Sequence, residues 1–244
     1  MPVFKKFIML AVISLVILIS IPVHGGLQDF FKQLKEAAGL DQGLSESRII
    51  EGLKEALQIG TGNAVSLVSR LDGYYKNPEI KISLPGPVQK IEKVLRGIGY
   101  GSLVDNFERS MNRAAEQAAP EAKTLFWDTI KQMSFDDARK ILKGRENEAT
   151  LYFQDKTQDR LKERFKPIIH NVMSKVGVTR TYQQLETNVR GIPFADNLNF
   201  DLDEYVTDRS LDGLFLMLAE EEKKIRQDAS ARVTDLLKQV FANQ

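Results

Sequence analysis

The stretch GLFLMLAEEEKKIR, residues 213–226, places carboxylates where an apolar stripe should continue. Leu211, Phe215, Leu218 and Ile225 follow one another at spacings of four, three and seven, which sets them on one seam of a helix. The position that completes the seam is Glu222, with Glu221 at its flank and Glu220 on the far side. A carboxylate aimed at apolar neighbours is costly unless it is paired. Three readings follow. In the first, Glu222 pairs with Arg226 and Glu220 with Lys224 at a surface helix end, each pair contributing about 0.2–0.5 kcal/mol. In the second, Glu222 is buried against an arginine from another helix. In the third, burial raises its pKa and it works as an acid or base. The two structural readings outweigh the catalytic one, because structural ion pairs perturb carboxyls as well.

A second polar group lies in SMNRAAEQAAP, residues 110–120. Leu103, Val104, Phe107, Met111, Ala114, Ala115 and Ala118 share one helix face, and Asp105, Arg109, Asn112, Arg113 and Glu116 share the other. Asn112, Arg113 and Glu116 cluster within about one turn. A solvated face is the favoured reading. If another helix covers it, the planar fork of Arg113 is the first candidate to meet Glu222. Asn112, Arg113, Glu116 and Glu222 are therefore the candidate binding residues.

Other signals point away from chemistry. Asn197, Asn199, Asp201, Asp203 and Asp208 have the spacing of a calcium loop, but Leu202 stands where the sharp turn needs glycine and no glutamate closes the loop. Helix capping by Asp201 or Asp203 explains more. Gly97, Gly99 and Gly101 follow a helix and lack the Lys-Ser/Thr ending of a phosphate loop, so they read as stop-and-restart glycines. His170, on its own, makes no typical zinc site. No metal, cofactor or catalytic constellation is expected.

The elements that must position these residues are almost all helical. Expected helices cover Gln28–Ala38, Ser45 to about Arg70, Gly86–Gly97, Ser102–Ala119, a segment opened by Pro120, a capping box at Ser134–Asp137 with a stop at Gly144, 147–176, 181–190, 203–227 and 229–241. Gly60 and Gly62 inside the second helix suggest close backbone approach or a break, and Pro167 suggests a kink or two abutting helices. NPEIKISLPGP, residues 77–87, alternates Ile80, Ile82 and Leu84 between prolines and reads as an extended strap across the helices. The expectation is an all-α, single-domain bundle of about nine or ten helices with one short strap.

Composition sets the compartment and excludes several classes. Lys5 and Lys6 precede an apolar run, Phe7–Ile21, followed by Pro22 and Val23-His24-Gly25, the pattern of a secretory signal cleaved after Gly25. The run is shorter than the ~20 residues of a membrane anchor. An uncleaved inner-membrane anchor is the alternative. Residues 1–25 are thus a signal, 26–44 an amphipathic lead-in, and 45–244 the helical domain, exported to the periplasm with no lasting anchor. A formal net charge of +1 lacks the basic excess of a nucleic-acid binder. Zero cysteines exclude disulfides and thiolate chemistry. Residues 156–175 carry six cations against two acids, and residues 196–222 carry nine acids and one Arg209. Such segments either attract each other or meet outside partners, the basic one being suited to anionic lipid headgroups.

Seven strings in order, GLKEAL (52–57), NPEIKISLP (77–85), MNRAAEQAAPEA (111–122), DDARKILKG (136–144), LYFQDKT (151–157), YVTDRSLDGLF (205–215) and EEKKIR (221–226), resemble a bacterial envelope family known as domain of unknown function 4197. The resemblance implies a helical exported domain and brings no reaction, cofactor or ligand. Many members resemble lipoproteins, but this chain lacks the cysteine such a tether needs. The leading expectation is a non-catalytic envelope module binding a partner protein or an amphipathic, lipid-like ligand between its helices. The alternative is a hydrolase or lyase with Glu222 as base and Arg113 binding an anion.

Overall fold

A computed structural model describes residues 46–175 and 201–227. Seven helices occupy the described residues: α1 (Glu46–Ser69), α2 (Gly86–Gly97), α3 (Gly101–Ala118), α4 (Glu121–Gln132), α5 (Phe135–Lys143), α6 (Glu148–Lys175) and α7 (Leu202–Gln227). The all-α expectation holds there, with seven helices in place of the nine or ten expected. The segments expected at 28–38, 181–190 and 229–241 lie outside the described residues, as do the lead-in and Asn197 and Asn199.

Boundaries follow local chemistry. Ser134 accepts the Asp137 N–H while Asp137 accepts the Ser134 N–H, closing the capping box of α5. Asp201 Oδ1 accepts the Glu204 N–H at 2.9 Å and caps α7. Between α2 and α3, Tyr100 N–H reaches Leu95 O and Gly99 N–H reaches Arg96 O, a double carbonyl closure that requires the φ of +93° at Gly99. Of the kink or two abutting helices expected at Pro167, the second does not occur: α6 runs through Pro167 as one helix. Pro167 and Glu163, four residues earlier, are both exposed, so the carbonyl left without its N–H faces water.

Helix α7 lies antiparallel to α1 and α6. Asn63 Nδ2 donates to Glu221 Oε2, and Tyr74 Oη, just past α1, donates to Ser210 O. Against α6, Glu222 meets Ala149 and Thr150, while Glu204 meets Lys162 and Lys166. Phe126 of α4 joins the three-helix core, its ring centroid 5.1 Å from Phe153 of α6 and 6.2 Å from Phe215 of α7. Phe107 of α3 and Leu161, Phe165 and Ile169 of α6 are buried as well. The oppositely charged segments do meet within the fold. Lys162 pairs with Glu204 and Asp208, Lys166 with Asp201 and Glu204, and His170 Nδ1 lies 2.7 Å from Asp203.

The glycine pair in α1 divides. A Cβ on Gly60 would stand 3.1 Å from Ile225 Cδ1, so close approach to α7 explains it, whereas Gly62 has open space. On α7 the tightest approach is at Gly213, where a Cβ would fall 2.7 Å from Tyr74 Cε1 and 3.0 Å from Ile80 Cβ. Tyr74 is fully buried and tied to Ser210, so its ring has little room to yield. Urea unfolding should therefore show opposite signs: Gly213→Ala loses about 1–3 kcal/mol by overpacking, and Gly62→Ala gains up to about 1 kcal/mol of helix propensity.

Candidate functional site

The four candidate residues form two separate sites. Asn112, Arg113 and Glu116, on consecutive turns of α3, face the non-helical segment between α1 and α2. That segment lies across the helices as a strap, with Ile80, Ile82 and Leu84 turned inward, but it forms no strand. Having no neighbouring strand, its backbone polar groups need side-chain partners. Asn112 supplies them as a strand would: its Oδ1 accepts the Ile82 N–H and its Nδ2 donates to Ile82 O, both at 2.8 Å. The same Nδ2 also donates to Glu108 O. Asn112 is fully buried, contrary to the solvated face favoured for it.

Glu116, also buried, holds the turn that precedes the strap. Its Oε1 accepts the backbone N–H of Tyr74 at 3.1 Å and of Tyr75 at 3.2 Å, while Oε2 pairs with Arg113. Arg113 also binds Asp72, whose φ of +66° places it in the left-handed region within the turn closed by Gly73 N–H on Arg70 O, just after α1. Hydrogen bonds from Lys76 and then Arg113 hold the Asp72 carboxyl below its ordinary range. Burial works against Arg113, but Glu116 and Asp72 outweigh it and leave the guanidinium above its ordinary value. Lys81, Arg109 and Arg113 surround the Tyr75 ring at 5.1, 5.7 and 5.8 Å from its centroid.

Glu222 forms the second site, and Arg113 does not reach it. The carboxylate is only 7 % exposed and meets the first turn of α6. Oε1 accepts the Ala149 N–H at 3.0 Å, and Oε2 accepts the Thr150 N–H at 2.8 Å and its hydroxyl at 2.9 Å. Arg226 adds Nε and Nη2 donors at 3.0 and 2.8 Å, then extends Nη2 to Ile141 O near the end of α5. The cation proposed for a surface pair is thus the right one, but the pair is buried. Glu222 occupies an anion position at a helix N-terminus, where unpaired N–H groups and the helix dipole favour negative charge. Lys224 pairs with Glu221, not with Glu220 as expected, and Asn63 takes the other Glu221 oxygen. Among the described residues, no group of three or more potential His, Cys, Asp or Glu ligands gathers to hold a metal ion.

A protein-family model described as "Protein of unknown function (DUF4197)" matches residues 43–242. The chain belongs to this family. No curated protein and no solved structure matches it. The partners of Glu116 and Asn112 went unread in the sequence because they are main-chain groups of Tyr74, Tyr75 and Ile82, which any residue type carries. Of the two α6 residues that meet Glu222, only Thr150 has a side-chain signal, a hydroxyl in the first turn of a helix; Arg226 was named by its spacing.

Breaking either site leaves buried donors unanswered. Glu222→Gln should lower unfolding free energy by about 3 kcal/mol or more, and Asn112→Ala by about 2–4 kcal/mol. Chemical denaturation checks both against the ±0.5 kcal/mol of ordinary surface changes.

The ladder between α6 and α7 predicts a pH profile. Glu204 is held low first by Lys162 and then by Lys166, and Asp201 first by the Glu204 N–H. A carboxyl depressed in the fold binds fewer protons folded than unfolded, so its contribution is full above about pH 4 and is lost as the pH falls. Lys162 is raised, first by Asp208 and then by Glu204, so its contribution is full below about pH 10 and is lost as the pH rises through its folded value. Thermal melts of Lys162→Met/Lys166→Met should be flatter than wild type at both ends of the pH range.

Proposed function

We propose that this chain is a non-catalytic, exported module of the cell envelope that binds a partner protein or an amphipathic, lipid-like ligand with its helical body. Asn112, Arg113, Glu116 and Glu222 shape those helices and do not take part in chemistry. The observation carrying this reading is the occupancy of Glu222: its two oxygens receive five hydrogen bonds, three from α6 and two from Arg226. A carboxylate has about four lone-pair sites, so an incoming proton donor would have to displace an internal bond. Arg113 is engaged with Asp72 and Glu116 and offers Glu222 no anion-binding companion. The hydrolase or lyase alternative loses its base and its anchor together.

Export rests on the Lys5-Lys6 region, the apolar Phe7–Ile21 run and the small-residue exit at Gly25. Among the described residues, no helix is long and apolar enough to cross a membrane. Native mass spectrometry of the protein extracted from its own envelope tests both parts. The expected outcome is a chain beginning at Gly26 that carries a lipid-like mass or a protein partner. A bare chain, together with hydrolytic activity that Glu222→Gln abolishes while the fold survives, would overturn the reading.

A further inference from the structure

The large apolar side chains left exposed are unevenly placed. Leu71, Trp127, Phe135 and Leu216 stand on four different segments, but Val94, Ile98 and Tyr100 fall within seven residues, 44 %, 58 % and 38 % exposed. All three lie at the corner where α2 gives way to α3. Val88, Ile91 and Leu95 form the inner face of α2 and are buried, while Val94 lies at the flank of that face and Ile98 caps the helix just beyond its end, both exposed. The corner is fixed: the carbonyls of Val94, Leu95 and Arg96 are bonded by the N–H groups of Ile98, Tyr100 and Gly99 in turn, and Gly99 reverses the chain between the two exposed side chains. An apolar tip is therefore presented on ordered backbone.

Its charge points to the occupant. Lys90 lies one turn before Val94 on the same side, and Lys93 is its neighbour; both are exposed and neither forms an ion pair among the described residues. The nearby acids, Glu92 and Asp105, share Arg96 at 2.9 Å and 2.7 Å, so that with Lys90 and Lys93 the corner carries three cations against two acids. Exposed aliphatic and tyrosine side chains beside two unanswered lysines match an interface that is apolar at depth and anionic at its surface. We propose that the α2–α3 corner docks on an anionic lipid bilayer, with Ile98, Tyr100 and Val94 entering the boundary between headgroups and acyl chains and Lys90 and Lys93 meeting the headgroups. This surface is distinct from any ligand held among the helices, and the inference stands whether or not such a ligand exists.

The absence of cysteine makes the test clean, since one introduced thiol is the only one in the chain. The full chain carrying Ile98→Cys labelled with an environment-sensitive fluorophore is mixed with vesicles of phosphatidylcholine alone or with phosphatidylglycerol added. Leu216→Cys, labelled likewise, is the control, so that any binding through the apolar N-terminal run is common to both. The expected result is a several-fold rise and blue shift at position 98 with phosphatidylglycerol vesicles, little change with phosphatidylcholine, and loss of the response in high salt or in Lys90→Glu/Lys93→Glu. No response at position 98, or an equal response at position 216, overturns the proposal. A response on concentrating the protein without vesicles also overturns it, and would mark the corner as a contact between copies.

Discussion

Two helix ends meet inside this bundle, and one ion pair on α7 serves both. The first N–H groups of an α-helix and its last carbonyls have no partners of their own, and packing leaves little water to supply them. Glu222 accepts from the first turn of α6, while Arg226 donates to the last turn of α5. Each charge also satisfies the other, in a geometry that saturates the carboxylate. A buried ion pair is weak evidence for stability in general, since desolvation offsets its attraction. Here it is the backbone it serves that makes the position demanding: an apolar replacement of both residues would leave the first-turn donors of α6 unanswered and would take from Ile141 O one of its two donors, the other being the Gly144 N–H.

The strap repeats the same physics. An extended segment packed on helices carries main-chain groups that no ladder completes. Asn112 completes them at Ile82, and Glu116 completes the turn at Tyr74 and Tyr75. Polar residues on inward faces therefore mark where backbone of another kind is seated against a helix. Catalytic residues also occupy inward faces, and the two cases differ in whether the polar atoms are all engaged. In both clusters of this domain the engaged partners are internal, which directs attention to the surface for function.

Much of this was legible in the residues. Pro120, the Ser134–Asp137 box, Asp201 and the Gly97–Gly101 punctuation place helix ends through side chains with known preferences. The opposed charge of the segments that became α6 and α7 allowed their ladder as one of two readings, the other being outside partners. The burial of Glu222 was only half legible: Arg226 at the fourth position names the pair, but an identical spacing serves an exposed helix. What decided it was the arrival of the α6 N-terminus, a set of main-chain donors without a side-chain signature. The solvated reading of Asn112 failed for the same reason, and Pro167 did not divide α6 into two helices, the proline and Glu163 both being exposed.

Helix α7 gives the domain a direction in time. It packs antiparallel against α1 and α6, and its residues answer groups as far back as Asn63, with Ile225 lying over Gly60. A chain synthesised from its N-terminus therefore makes six of the seven described helices before the element that lies between two of them exists. Contacts this distant in sequence must wait for loop closure. Until Arg226 has emerged, the nascent protein holds helices without their seam, and the cooperative structure can close only when nearly the whole polypeptide is available.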